Sequence, residues 1–379
     1  MIAVSISLPS ADPLPWSDLA RRVSANAFMN PTALRAAAVT GFADIRMLVA
    51  WNQSTNPPRL VGLWAMQIKT VLPFWPRLLD ALPYNYAFLS SPVVDPAFAA
   101  EVIPAFLAAI KDDPALPNIV HLHAIESRSQ SYDLIQRELA SRGGVQRVLV
   151  EIDRPFATRE AGVKKSGSTR KKLRQDWNRL SALGAVDVIN EREPSAVARA
   201  FETFLALELA SWKGARGTAL LCDPTDAAFV RRLIADLAAE GSASVALLQI
   251  NGRPVAAQVL IYAGSTAYTW KTAFDVEFAR YSPGMLLVDR ITEHLLATPD
   301  IEAIDSCSSE DGFMAQLWTG RRTVADVLIN LDPSSSLAYQ LEVARQLIYQ
   351  RLRRSRSRTQ TMLSQWRPHS SAHGNKSLK

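Results

Sequence analysis

The chain has 379 residues, 48% apolar and 21% charged, which describes a folded globular protein long enough for two domains. Its two cysteines, Cys222 and Cys307, are too few for a disulfide scaffold or a cysteine-built metal site, and they fit a reducing compartment. The net charge of +6 is local: from Arg351 to Lys379 six Arg and two Lys meet no acid, a charge of +8 that leaves the first 350 residues near −2 and gives no support to a nucleic-acid-binding body.

The first residues, Met1 to Pro9, carry no basic group and no long apolar run, so no signal peptide is read there. No window approaches the roughly 18 apolar residues of a membrane span. A soluble, cytoplasmic protein is expected.

In chain order, helices are predicted from Trp16 to Val23 and from Pro31 to Val39, and strands from Ile45 to Trp51 and from Leu60 to Ile68 around the turn Asn56-Pro57-Pro58. Pro73 to Pro83 is Pro-rich and irregular. A short strand over Ala87 to Leu89 leads to Ser90-Ser91-Pro92-Val93, and a helix follows from Pro96 to Ile110. A strand from Ile119 to Ala124, a helix from Tyr132 to Ser141 and a strand from Gln146 to Ile152 complete the first half. The polar segment Asp153 to Ser168 marks a boundary.

The order then repeats. Helices are predicted at 176–183 and 194–212, and three strands between Val245 and Ala273 turn at Asn251-Gly252 and Gly264-Ser265. Arg280-Tyr281-Ser282-Pro283-Gly284 opens a helix over 285–296. A strand at 303–306, a helix at 313–318 and a strand at 324–331 end the half. This is a repeat of architecture rather than of text.

Chemistry is read from a few positions. On a helical wheel of Val197 to Trp212, Glu208 falls in the middle of the face that carries Val197, Phe201, Phe204, Leu205 and Trp212. A carboxylate there would be desolvated toward base strength, or paired with a buried cation. Lys213, after Trp212, could hold a substrate anion or be a solvated loop lysine. Trp270 and Tyr268 should share one strand face, with Lys271 on the other. Asp275 and Asp305 end strands, and each fits a turn or a cleft. The Pro-Gly helix start at Pro283-Gly284 would present free amides to a phosphate, or be an ordinary turn. The run Lys164, Lys165, Arg170, Lys171, Lys172 and Arg174 could steer an anion or line a solvated face. The histidines show no metal-ligand spacing, and no metal is expected.

The second half resembles the GNAT acyltransferases, and its text is similar to the CelD-like branch, related to the Fem-type aminoacyl transferases with two GNAT-like domains. The resemblance rests on Arg170-Lys171-Lys172-Leu173-Arg174, Leu207-Glu208 with Trp212-Lys213-Gly214, Arg216-Gly217-Thr218-Ala219-Leu220, Asn251-Gly252-Arg253-Pro254-Val255-Ala256-Ala257, Ala273-Phe274-Asp275 and Ser282-Pro283-Gly284. It covers about Lys164 to Leu331. One departure stands out: Arg280 lies four residues before Gly284, and Met285 or Leu286 stands where a later glycine or alanine is usual.

The resemblance implies an α/β (α+β) fold of two tandem GNAT-like domains, each a mixed, mostly antiparallel twisted sheet flanked by helices. The divisions expected are 1–155, a degenerate non-catalytic domain that shapes a cleft; 156–335, the acyltransferase domain; 336–355, a helix; and 356–379, a disordered basic tail. It implies acyl transfer, with acetyl-CoA or another acyl-CoA as co-substrate and an amine acceptor, such as an amino sugar or a precursor of envelope or exopolysaccharide. Glu208, Asp305 and Asp275 are the candidate catalytic groups. Ala273, Phe274, Arg280, Ser282, Pro283, Gly284, Met285 and Leu286 would bind the donor, and Trp212, Lys213, Trp270 and Lys271 the acceptor. Aminoacyl-tRNA as donor, and a catalytically silent scaffold for polysaccharide synthesis, stay open. The basic tail could meet an acidic partner or an anionic membrane surface.

Overall fold

Strands of the first half are β1 (Ile2–Ser7), β2 (Ile45–Asn52), β3 (Arg59–Lys69), β4 (Leu78–Asp80), β5 (Val93–Val94), β6 (Ile119–Glu126) and β7 (Val145–Thr158). Its helices are α1 (Trp16–Arg22), α2 (Pro31–Val39), α3 (Ala99–Asp112) and α4 (Gln130–Ser141). The second half carries helices α5 (Ser168–Ser181), α6 (Pro194–Ala210), α7 (Trp212–Ala215), α8 (Pro224–Ala239), α9 (Pro283–Ala297) and α10 (Met314–Leu317). Its strands are β8 (Val186–Glu191), β9 (Ala243–Ile250), β10 (Arg253–Ala263), β11 (Thr266–Phe274), β12 (Ala303–Asp305) and β13 (Arg321–Asn330). Helix α11 (Leu337–Gln365) comes last. The computed structural model describes residues 1–365 apart from 11–13, 24, 72 and 334, with side chains described through 352.

The strands join one sheet in the order β1-β2-β3-β4-β6-β13-β7-β12-β11-β10-β9-β8, with β5 beside β3. Among the described residues, only β4 with β6 and β11 with β12 run parallel. The order is a mirror: β1-β2-β3-β4-β6 on one side answers β8-β9-β10-β11-β12 on the other. The expected repeat is therefore carried by topology.

Its centre differs from the expectation. The strand predicted at 324–331 as the end of the second half lies between β6 and β7, pairing Asn330 with Ile119 and with Val145. β7 in turn runs on through 153–158, where a boundary was predicted, and pairs Phe156 to Thr158 with β12. Each half thus lends its last strand to the middle, so residues Met1–Ser334 form one compact unit and Ser335–Lys379 a second.

Alternation along the strands sorts the core. Val245 and Leu247 of β9 and Ala257, Val259 and Ile261 of β10 face α6 and α8, in a cluster that continues into α2 of the first half. Ala246, Leu248, Ala256, Leu260 and Tyr262 face α5 and α9. Helix α8 was not predicted, although Asp223 before Pro224 and the buried series Ala227, Val230, Leu233, Ile234 and Leu237 are its start signal and its face. Residues 87–89 form no strand; how their carbonyls are satisfied bears on the site below. α11 runs to Gln365, beyond the predicted helix end at 355. The rest of the predicted tail, 366–379, lies outside the described residues.

Candidate functional site

β11 is the strand on which the site is built. It pairs with β12 only over Thr266–Tyr268, opposite Ala303–Asp305, and then continues to Phe274 with β10 as its partner. Beyond Tyr268 the two parallel strands part, which leaves one edge of Thr269–Phe274 without a ladder.

The pairing with β10 slips by one residue between Val259 and Leu260, since Val259 faces Lys271 and Leu260 faces Thr269. Trp270 is the extra residue of this bulge, and it reverses the parity of the residues beyond it. Tyr268 and Trp270 join the cluster on the α6–α8 side, and after the bulge so does Ala273. Thr272 and Phe274 face the start of α9. Lys271, predicted opposite Trp270, therefore lies on the same side: its Nζ is 5.5 Å from the Trp270 ring and 4.4 Å from the Tyr86 ring.

On the α9 side, Asp275 accepts from Glu277 N at 3.0 Å and opens a short 3-10 turn, Val276–Tyr281. Its other oxygen accepts from exposed Arg253 at 2.7 Å, so Asp275 is a half-buried, turn-forming residue. Ser282 follows in the left-handed region, with φ 52° and ψ 47°, and Pro283 begins α9. The Leu286 amide closes on the Ser282 carbonyl at 3.1 Å. The earlier amides, of Gly284 and Met285, belong to the turn that has no intrahelical acceptor. A methyl group built on Gly284 would meet Phe274 Cδ1 at 3.4 Å, so the helix start sits directly on the end of β11.

Positive charge collects at this start. Lys172 of α5 donates to Ser282 Oγ at 2.7 Å and also pairs with Asp176. The Arg280 and Arg179 guanidinium groups lie 4.7 and 5.7 Å from the Tyr281 ring. Other members of the basic run are spent on structure: Arg170 pairs with Asp289 and Glu293, and Lys164 donates to the Ala315 carbonyl at 3.1 Å.

On the α6–α8 side, Glu208 is 1% exposed, as the helical wheel implied. Its Oε1 accepts from Lys213 Nζ at 2.7 Å and its Oε2 from Leu220 N at 2.9 Å, so both oxygens are committed. Beside this pair stands Lys271, with no side-chain hydrogen bond or ion pair among the described residues. Burial pushes its pKa from 10.5 to about 8; the charge of Glu208 opposes that shift, Lys213 adds to it, and Asp226 opposes it. Tyr86 donates its hydroxyl to Asp226 of α8, and burial with that bond pushes the phenol up. Trp212, predicted to touch substrate, is 57% exposed, with Arg216 at 5.0 Å from its ring.

Tyr86 is held by a device the sequence does not announce. Carbonyls of the segment 86–91 are taken by side chains rather than by a ladder. Trp270 donates to Tyr86 O at 2.9 Å, Arg154 to Phe88 O at 2.8 Å and Trp64 to Ser90 O at 2.9 Å. Asn26 donates to Leu89 O at 2.8 Å and to Ser91 O at 2.9 Å. This explains why the strand predicted over Ala87–Leu89 does not form: its backbone is satisfied without one.

Asp305 is fully buried between the halves. Its Oδ1 accepts from Cys307 N at 2.8 Å and Arg154 at 3.4 Å, and its Oδ2 from Arg322 at 3.1 Å. Arg322 also reaches Glu126 at 2.6 Å. The Cys307 thiol is buried in the same cluster, and burial with the Asp305 charge raises its pKa well above the usual value. The His121 and His123 rings lie 3.5 Å apart and tilted by 40° elsewhere in the sheet, and no described group of His, Cys, Asp and Glu is arranged to hold a metal ion.

The predicted residues thus divide. Glu208, Lys213, Trp270 and Lys271 gather on one face of β11, and Phe274 with Ser282 to Leu286 gathers on the other. Asp305 stands apart from both, and Asp275, next to Phe274, is taken up by the turn that leads to Ser282. Tyr86, Asp226 and Lys172 join the site without having been singled out as site residues. Lys172 stands in the basic run read from the sequence and Asp226 in the first turn of a capped helix, whereas Tyr86 carries no local signal.

Residues 167–313 match the family model described as an acetyltransferase (GNAT) domain. FemX shares the fold with a TM-score of 0.57 at 11% identity, over 83% of this chain and 94% of that one. The C-terminal domain of a putative lysylphosphatidylglycerol synthetase from Agrobacterium fabrum gives 0.51 at 14%, over 87% and 94%. A conserved protein of unknown function from Bacteroides thetaiotaomicron gives 0.53 at 12%, over 85% and 98%. No curated protein matches the chain. The GNAT acetyltransferase match thus lies within a larger fold like that of FemX, a mixed sheet with flanking helices.

Proposed function

We propose that the chain is an N-acyltransferase that moves an acyl group, acetyl in the simplest case, from an acyl-CoA to an amine acceptor. The observation that carries this reading is the parting of β11 from β12. It joins a cationic helix start on one face of β11 to a partly buried, unpaired lysine on the other. Phosphates suit the Gly284 and Met285 amides beside Lys172 and Arg280, because free amides and the helix dipole favour an anion. The open edge Thr269–Phe274 suits the amide groups of a pantetheine arm. Residues 156–335 form the catalytic half, and residues 1–155 its partner, which contributes Tyr86.

Transfer is a direct displacement. The acceptor nitrogen bonds to the thioester carbonyl carbon and the carbon–sulfur bond breaks. The nitrogen's proton passes to the neutral Lys271 amine and on to the departing thiolate, which leaves an amide and a free thiol. Lys271 is the group fitted to take that proton, because at about pH 8 it is half neutral. Glu208 acts through its neighbours as a positioning residue, since its oxygens are held by Lys213 and Leu220. Asp305 acts as a strut between the halves. The acceptor is an amino sugar or an envelope or exopolysaccharide precursor, as in the CelD-like branch, and the reaction belongs in the cytoplasm.

The likeness to FemX favours a second reading, aminoacyl transfer from tRNA, with α5 supplying phosphate contacts. Melting the protein with acetyl-CoA and separately with charged tRNA tells the two apart, because a ligand of the native state raises Tm by mass action. A rise with acetyl-CoA is expected. No rise at millimolar acetyl-CoA, with retention of charged tRNA, would replace the first reading by the second.

A further inference from the structure

Helix α11 carries two features that the transfer chemistry does not use. The first is an apolar stripe. Leu337, Leu341, Ala344, Ile348 and Leu352 recur at steps of four, three, four and four residues, which places them on one side of a helix. All five are exposed: Leu337 by 72%, Leu341 by 41%, Ile348 by 58% and Leu352 by 56%, with Ala344 in the same class. Tyr349, 58% exposed, stands beside the stripe.

The second is charge. Within the same helix, Arg353, Arg354, Arg356 and Arg358 follow one another with no acidic residue among them. The acid nearer the start, Glu342, is already paired with Arg345 at 2.5 Å. Basic charge is therefore concentrated in the later part of the helix, next to the end of the described stripe.

We propose that α11 is a docking element for an anionic lipid bilayer surface, lying in the headgroup plane with its stripe turned into the acyl boundary. Three occupants can be compared. An RNA strand would neutralise the arginines and leave the stripe in water. A second copy of the helix would cover the stripe but bring like charge beside like charge. An anionic bilayer satisfies both, since an interfacial helix couples an apolar face to lipid and basic residues to the headgroups. No helix among the described residues is long and apolar enough to cross a membrane, so α11 rests on the surface.

Flotation of the full chain tests this with vesicles of phosphatidylcholine alone and of phosphatidylcholine containing phosphatidylglycerol. Binding to the anionic vesicles should be at least about tenfold tighter and should weaken as salt screens the charges. It should be lost in Ile348→Asp/Leu352→Asp and in Arg353→Gln/Arg354→Gln/Arg356→Gln/Arg358→Gln, both with unchanged far-UV circular dichroism. Leu341→Asp, toward the other end of the stripe, should weaken binding severalfold. Absence of wild-type binding to anionic vesicles would overturn the proposal. So would full binding by the Ile348/Leu352 variant, which would leave only charge adhesion. Retention of tRNA without vesicle binding, or a dimer that the Ile348/Leu352 variant dissolves without vesicle binding, would replace the bilayer by RNA or by a second copy.

Discussion

The Lys271 ammonium lies 4.4 Å from the centre of the Tyr86 ring, a contact that joins β11 of the second half to an irregular segment of the first. The nearby carboxylates are already engaged, Glu208 by Lys213 and Asp226 by Tyr86. Burial pushes the Lys271 ammonium toward neutrality, and the charge of Lys213 adds to this, although Glu208 and Asp226 pull the other way. That is what an acceptor of a substrate proton needs.

Replacing Lys271 by Met should lower kcat by on the order of a hundredfold or more, the usual worth of a positioned base. In the wild type, kcat/KM should rise with pH and level off above about 8, as Lys271 loses its proton. Stability has a matching signature. The pKa is lower in the folded state than the ordinary 10.5, so between about 8 and 10.5 the unfolded chain binds more protons and stability rises with pH. Below pH 8 the burial cost is fully present, and Lys271→Met should raise Tm there. A variant with wild-type kcat would remove Lys271 from the mechanism.

Glu208→Gln keeps the shape of the side chain and removes its charge. The charge of Glu208 raises the Lys271 pKa, so the rise in the rate profile should move to lower pH in the variant. Half-buried Lys213 would also lose its charged partner, at a cost of about 1–2 kcal/mol in denaturant unfolding. An unmoved profile with the same loss of stability would reduce Glu208 to a purely structural group.

Asp305→Asn should destabilise by about 3–5 kcal/mol, because Arg154 and Arg322 would be left buried without their shared anion. KM for donor and acceptor should change little in the folded fraction. The opposite pattern, wild-type stability with lost turnover, would return Asp305 to the reacting groups.

Ser282→Gly should raise stability by about 1 kcal/mol, the usual cost of a side chain in the left-handed region. The same change removes the hydroxyl that anchors Lys172, so acetyl-CoA should bind severalfold more weakly in calorimetry. A lower Tm would mean that the Lys172 bond outweighs the backbone strain. Unchanged affinity would detach Lys172 from the donor site.

Local signals carried much of this architecture into view. Glu208 among Val197, Phe201, Phe204 and Leu205 is an i, i+3, i+4 pattern, and the structure buries it on that face. The strands around Asn251-Gly252 and Gly264-Ser265 and the Pro283 helix start are equally local, written in turn and capping residues. Strand alternation misplaces Lys271 because it assumes an unbroken ladder. A bulge is an agreement between two strands, and neither strand declares it alone.

By itself, then, the sequence determined most of the helices and strands, though not α8 or the edge strands β1 and β8, together with the repeat and the loop that opens α9, because short-range periodicity and chain stiffness act within a dozen residues. Tertiary structure alone decided that β13 sits between β6 and β7, that Asp305 is locked by Arg154 and Arg322, and that Tyr86 meets Lys271. Those outcomes depend on which distant donor reaches which buried carbonyl or carboxylate. Trp270 holding Tyr86 O, 184 residues away along the chain, is the plainest case.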